Sequence, residues 1–196
     1  MMAVLDGYTR IAKVLLEARA CLERCRADGL SPLHAAVLRE ATLPPRAGEA
    51  SMIALLAEAR ADPEVRTRQG VSPLSLLMSS SVNAPHRSTA LHNLIDIKAD
   101  VNRPIAGDGT RPLHATVHHN LRVEAALLLE RAADPNAAHD DGTAPLHLAA
   151  SAGAAPFVDL LLNSRADATA TTQSGQTALD LARQHGFRAI EDRLRQ

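Results

Sequence analysis

Gly109-Thr110-Arg111-Pro112-Leu113-His114 returns as Gly142-Thr143-Ala144-Pro145-Leu146-His147 and again, altered, as Gly175-Gln176-Thr177-Ala178-Leu179-Asp180. The three glycines are spaced 33 residues apart, from 109 to 142 and from 142 to 175. Two earlier copies stand upstream, Gly29-Leu30-Ser31-Pro32-Leu33-His34 and Gly70-Val71-Ser72-Pro73-Leu74-Ser75. A phrase at a fixed interval of this length marks a stack of similar small units rather than one irregular core. Within each copy a glycine forms a turn, and proline follows where a helix begins, because its missing N–H costs nothing in the first turn.

A second landmark accompanies the first. Leu55-Leu56 precedes Ala61-Asp62, Leu94-Ile95 precedes Ala99-Asp100, Leu127-Leu128-Leu129 precedes Ala133-Asp134, and Leu160-Leu161-Leu162 precedes Ala166-Asp167. From each of these aspartates to the glycine that opens the next phrase is 8, 9, 8 and 8 residues, while from the opening glycines Gly29, Gly70, Gly109 and Gly142 to the same aspartates in turn is 33, 30, 25 and 25. The connecting loop is nearly constant, and length varies between the two helices of a unit. The first two full units therefore carry insertions of 8 and 5 residues. The insertion at 41–49 contains Leu43-Pro44-Pro45-Arg46-Ala47-Gly48 and reads as a loop, not as a longer helix. The one at 79–87 is polar and reads as a surface loop.

Period and phrase together resemble those of ankyrin repeats, over almost the whole chain. The resemblance implies an all-α solenoid of stacked helix-turn-helix units with short finger loops. The expected units are a partial one at 1–28, repeats at 29–66 and 67–105 with insertions between their helices, repeats at 106–138 and 139–171, and a capping unit at 172–196. The first would start inside its inner helix, which raises the expectation of a fragment, an isoform or a truncated gene product. The last helix, ending Glu191-Asp192-Arg193-Leu194-Arg195-Gln196, is charged as a cap should be. One unit cannot bury its apolar faces alone, and stacking completes the core.

Composition agrees. Of the 196 residues 46% are hydrophobic but only 2% aromatic, so Leu, Ala, Val and Ile must fill the core. Small alanines let neighbouring helices approach closely. The net charge of −1 provides no field for nucleic acid. There is no apolar run of the roughly 18 residues that a membrane span needs. Cys21 and Cys25 are the only cysteines and read as reduced thiols, not as a disulfide framework.

In the family the Ser or Thr before Pro-Leu-His caps the inner helix, and the His ties adjacent loops. That implies structural roles for Ser31, His34, Ser72, His114, His147 and Thr177. Ser75 and Asp180 stand where a histidine is usual, and Arg111 and Ala144 where a hydroxyl is. The family usually ends the outer helix on a left-handed glycine. Here Arg60, Lys98, Ala132 and Arg165 occupy that position, with Arg19 in the partial unit. Each non-glycine there costs about 1–2 kcal/mol, so the array should be less stable than a consensus one, with the repeat at 67–105 weakest.

Chemistry finds little support. His114 and His118 have the i, i+4 spacing of a zinc-protease helix, but Ala115 stands where that motif needs its Glu. Neither a phosphate-binding Walker loop nor a Gly-x-Ser-x-Gly nucleophile turn occurs. The expectation is a non-catalytic scaffold or adaptor, without metal or cofactor. It would be monomeric, in the cytoplasm or else the nucleus, binding a protein partner and neither nucleic acid nor a membrane.

By the resemblance, finger tips and the groove face of the inner helices carry the contacts. The candidates are Arg39, Arg66, Arg68, Gln69, Asp108, His118, His119, His139, Asp140, Asp141, Gln173, Gln184 and His185, running from basic to acidic along the chain. An alternative is a targeting or regulatory segment of a larger enzyme, channel or ubiquitin ligase, truncated at its N-terminus. Asp100-Val101-Asn102 also resembles the ankyrin asparagine site that oxygen-dependent hydroxylases modify, against which stands a plain hydrogen-bonding role for Asn102 in its finger.

Overall fold

The computed structural model describes residues 2–5, 9–18, 29–43, 50–79 and 84–195. Cys21, Cys25, Arg19, most of the first insertion and Ser80 to Asn83 of the second lie outside them. The chain forms two compact units, Met1–Asp100 and Val101–Gln196. The protein is all-α: α1 (Met2–Leu5), α2 (Thr9–Glu17), α3 (Pro32–Thr42), α4 (Met52–Glu58), α5 (Pro73–Ser79) and α6 (Arg87–Asp96) lie in the first unit. The second holds α7 (Pro112–His118), α8 (Arg122–Glu130), α9 (Pro145–Ser151), α10 (Ala155–Asn163), α11 (Ala178–Gln184) and α12 (Arg188–Leu194). The only extended pairing among the described residues is a single bridge between Thr171 and Thr177.

The second unit shows the stacking plainly. α7 pairs with α8, α9 with α10, and α11 with α12. The first members form one row, α7 on α9 on α11, and the second members another, α8 on α10 on α12. Leu113, Leu146, Ala149, Ala150, Phe157, Val158, Leu161, Ala178, Ala182 and Ile190 interlock between the rows as one buried cluster. Each large side chain so buried contributes about 1.5–3 kcal/mol, and none of the pairs could collect that alone. The first unit repeats the scheme with α3, α4, α5 and α6, around Leu33, Val37, Met52, Ile53, Leu56, Leu77, Leu91 and Leu94.

Both kinds of helix end in the same way. The outer helices turn left-handed at Arg60, Lys98, Ala132 and Arg165, with φ of 66, 72, 64 and 66°. Behind each, the next N–H reaches back to the helix, Ala61 to Leu56 O at 2.9 Å and Ala133 to Leu128 O at 2.9 Å among them. The next-but-one pairing closes too, as in Arg60 N–H to Ala57 O at 2.8 Å, which satisfies carbonyls that a helix end otherwise leaves bare. The expected strained terminators are thus present. Inner helices α7 and α9 end likewise, on Asn120 (φ 54°) and Gly153. Asparagine is the next-best residue there after glycine.

The insertions begin later than the sequence suggests. α3 runs through Ala41 and Thr42, residues assigned above to the inserted loop, and is 11 residues long against 7 for α7 and α9. Ala41 is buried, and Glu40 before it locks onto the start of α4, so packing extends the helix through these residues. Arg87, at the end of the second insertion, already belongs to α6 and is 5% exposed.

Candidate functional site

Each finger is a short turn closed by its own backbone. In the first unit Thr67 N–H donates to Val71 O and Gly70 N–H to Thr67 O, both at 2.9 Å. In the second, His139 N–H donates to Thr143 O at 2.9 Å and Thr172 N–H to Gln176 O at 3.0 Å. Ile105 N–H to Thr110 O at 2.7 Å closes the finger before them.

Neighbouring fingers are then tied tip to tip. Asp140 N–H donates to Asp108 O at 3.0 Å, and Gln173 N–H to Asp141 O at 2.9 Å. The Gln173 side-chain amide adds a bond to Asp140 O at 2.6 Å. The tip glycines make this approach feasible. Gly142 has φ 81°, and a Cβ there would lie 3.0 Å from Gln173 N. At Gly29, with φ 84°, a Cβ would sit 2.6 Å from Arg68 N. A side chain would force the next finger away at either position.

A parallel set of bonds runs along the loop bases. Asn102 Oδ1 accepts from Asp134 N–H at 2.8 Å while its amide donates to Ala132 O at 3.0 Å. Asn136 does the same one repeat on, to Asp167 N–H and Arg165 O. In the first unit Glu64 accepts from Asp100 N–H at 2.9 Å. Asn102 thus has both ends of its amide engaged in holding the next loop.

The histidines brace the finger bases. His34 Nδ1 accepts from the Ser31 N–H, so its proton sits on Nε2, which donates to Val71 O at 2.9 Å. His147 has the same arrangement, with Nδ1 facing Ala144 N–H at 3.1 Å and Nε2 donating to Ala170 O at 3.0 Å. Burial holds His34 below the ordinary histidine range, and the Val71 carbonyl opposes that only in part. Ser31, Ser72 and Thr177 supply side-chain caps to the N–H of His34, Ser75 and Asp180. Arg111 and Ala144 supply none.

His114 departs from its two counterparts. Its Nδ1 accepts from Arg111 N–H at 3.1 Å, yet its Nε2 is buried without a hydrogen-bond partner. The His139 ring lies over it, with centroids 4.0 Å apart and planes tilted by 42°. Burial first, then the nearby His139, pushes the pKa of His114 down to about 4. His139 Nε2 is likewise buried and unpartnered. His139, expected among the contact residues of its finger, is half-buried, with its ring packed against that of His114 on α7. Nothing in the sequence phrase distinguishes an inward from an outward ring at that position.

The remaining candidates are placed simply. Arg66, Arg68, Gln69, Asp108, Asp140, Asp141 and Gln173 are exposed on finger tips. His118, His119, Gln184 and His185 are exposed where α7 and α11 end, and Arg39 is half-buried on α3. Thr110 holds the Asp108 carboxyl below the usual range through its hydroxyl and then its N–H. The Thr143 N–H does so for Asp141. His114 and His118 do not converge, since His114 is fully buried and His118 faces solvent. Among the described residues no three His, Cys, Asp or Glu side chains are arranged to hold a metal ion. No helix among them is long and apolar enough to cross a membrane.

Sequence reasoning missed one buried polar centre. Glu40 is 1% exposed and accepts from Ser51 Oγ, from the N–H groups of Met52 and Ile53, and from Asn93 Nδ2. It caps α4 from α3 and fastens α6 to both. Its place among hydrophobic neighbours near an insertion gave no periodic signal.

The repeated helix pairs, left-handed helix ends and finger ladder define a class of stacked-repeat protein. Residues 127–182 match the model of the family described as ankyrin repeats (many copies). Over that stretch the chain is built of ankyrin repeats. No curated protein matches it.

Proposed function

We propose that the chain is a non-catalytic protein-interaction module that grips a protein partner through its finger tips and the exposed ends of its inner helices. Ankyrin repeats generally mediate protein–protein interaction. One observation carries the reading to these residues. In the second unit the finger backbones are tied to one another, while the side chains of Asp108, Asp140, Asp141 and Gln173 are left exposed. A surface already ordered by its own backbone loses little entropy when a partner binds. His118, His119, Gln184 and His185 border the same repeats, and Arg66, Arg68 and Gln69 present a basic tip in the first unit. The proposed setting is the cytoplasm or nucleus.

The test is a pull-down from source-matched lysate with the full chain beside a variant in which Arg66, Arg68, His118, His119, Asp140 and Asp141 are all alanine. Both baits are first shown to be folded by circular dichroism. A protein held by the first and lost by the second supports the reading. Equal retention of every captured protein refutes this surface.

A further inference from the structure

We propose that the His114–His139 contact is a proton-sensitive latch that holds the 137–143 finger against α7, closed while both rings are neutral and released on acidification. The inference deepens the proposed function, because Asp140 and Asp141 ride on this finger; the latch itself needs no partner to be observed.

The argument starts from the two buried nitrogens. Nε2 of His114 and Nε2 of His139 both lack a hydrogen-bond partner, and the rings touch with centroids 4.0 Å apart. A neutral imidazole tolerates this at modest cost. The Thr143 and Ala137 carbonyls lie near enough to His114 to favour its charged form, and burial outweighs them. For His139 an imidazolium carries N–H on both nitrogens, so whichever tautomer came before, protonation leaves Nε2 a charged donor buried without a bonded acceptor. His114 has a further obstacle. Its Nδ1 already accepts from Arg111 N–H, and a proton there would set two donors face to face. His114 therefore stays neutral in the closed state, and its burial agrees with that. His139 is the ring that can leave, since it sits on a finger rather than on a helix.

The same bond disposes of a metal reading. For Nε2 of His114 to ligate a cation while Nδ1 accepts from Arg111 N–H, the ring would have to lose both protons.

The surroundings act in both directions. Asp108 and Asp141 are close enough to the docked His139 for their charges to interact with it, and this attraction opposes release. Neither bonds its Nε2 in the docked position, so the buried donor is left unsatisfied. Arg111 adds positive potential at His114. Of the elements packed on α7, α8 carries exposed Arg122 and Glu130 and buried Glu124, and α9 carries His147, whose ring is committed to Ala144 N–H and Ala170 O. Asp140 is exposed at the finger tip. The next finger has no titratable group between Thr172 and Gln176, so it serves as an internal reference.

Amide hydrogen exchange on the full chain tests this, read by NMR and corrected for the intrinsic pH dependence of exchange. Protection of the His139 and Asp140 N–H groups should fall about tenfold between roughly pH 7 and pH 5.5, across the range where histidine charges. Protection of the Thr172 N–H should hold. His139→Phe, which keeps an aromatic ring but takes no proton, should make the finger insensitive to pH, and His139→Gln should do the same. In the unmodified chain the loss should track the titration of the His139 ring signals, a readout that stands even if a variant misfolds. The latch is refuted if the finger keeps its protection at pH 5.5, if either folded variant opens like the parent, if loss does not follow the His139 signals, or if Thr172 opens in parallel. Each result is independent of the pull-down, so the latch and the interaction surface can fail separately.

Discussion

Asn93 on α6 donates its side-chain amide to the carboxylate of Glu40 on α3 at 2.9 Å, 53 residues apart in sequence. The same carboxylate caps α4 through Ser51, Met52 and Ile53, so one buried group joins three helices of the first unit. Truncating it would leave several donors bare at once, which costs more than the bonds contributed when intact.

Asn93→Ala should therefore cost about 1.5–3 kcal/mol, the range for a hydrogen bond to a charged group, and Glu40→Ala should cost more. Urea denaturation followed by circular dichroism measures both. If Glu40→Ala melts within error of the parent, the carboxylate is not what fastens α3, α4 and α6.

Much of this architecture could be read before any coordinates. The recurring Gly-x-x-Pro-Leu-His phrase sets the turn and the helix start, because both are local; the histidine brace, which reaches from His34 to Val71 and from His147 to Ala170, was implied by the family resemblance. The left-handed sites at Arg60, Lys98, Ala132 and Arg165 were implied by the family resemblance, carried onto these positions by the register of the repeat. What escaped was non-local. Glu40 finds its partners across an insertion, so no spacing announces it. The inward turn of His139 depends on what lies beneath its finger, and the extra helical turn of α3 depends on packing of Ala41.

The left-handed helix ends give a second prediction. Replacing Ala132, at φ 64°, with glycine relieves roughly 1–2 kcal/mol of backbone strain, less the extra unfolded-state entropy of glycine. Arg60→Gly, Lys98→Gly and Arg165→Gly should gain less, because each removes a cation at a helix C-terminus worth about 0.3–1 kcal/mol. A rise in urea midpoint largest for Ala132→Gly is the expected order. A fall on Ala132→Gly would mean that the strain is absent.

Stability should decline in two stages as pH falls. His114 is pushed down to about 4 in the folded chain, against 6.5 when free. The unfolded chain therefore takes up the proton first, and stability that is complete above about pH 6.5 drains away toward pH 4. The shift corresponds to about 3 kcal/mol at most. His34 is displaced in the same direction and adds to the loss. The carboxyls of Asp108, Asp141, Asp167 and Asp180 are lowered from 3.8, so their contribution disappears only at more acid pH. Thermal melts at pH 7.5, 6 and 5 should show a falling midpoint. His114→Gln, whose carbonyl can still accept from Arg111 N–H, should flatten that slope; an unchanged slope would assign the acid sensitivity elsewhere.

The missing caps give the last prediction. Ser31 and Thr177 cap their helices with φ and ψ of −80, 165° and −85, 166°. Ala144 already has −85, 164° at the start of α9, with no oxygen to offer. A hydroxyl there would meet the His147 N–H without moving the backbone, while the Ala144 N–H keeps its bond to His147 Nδ1. Ala144→Ser should thus stabilise the chain by about 1 kcal/mol, the usual worth of such a cap. Ala144 is buried, and serine is the smallest residue that adds the oxygen, so crowding is minimal. A urea midpoint that rises for Ala144→Ser but not for Ala144→Val separates the hydrogen bond from added bulk, and equal gains from both would show that packing, not capping, limits α9.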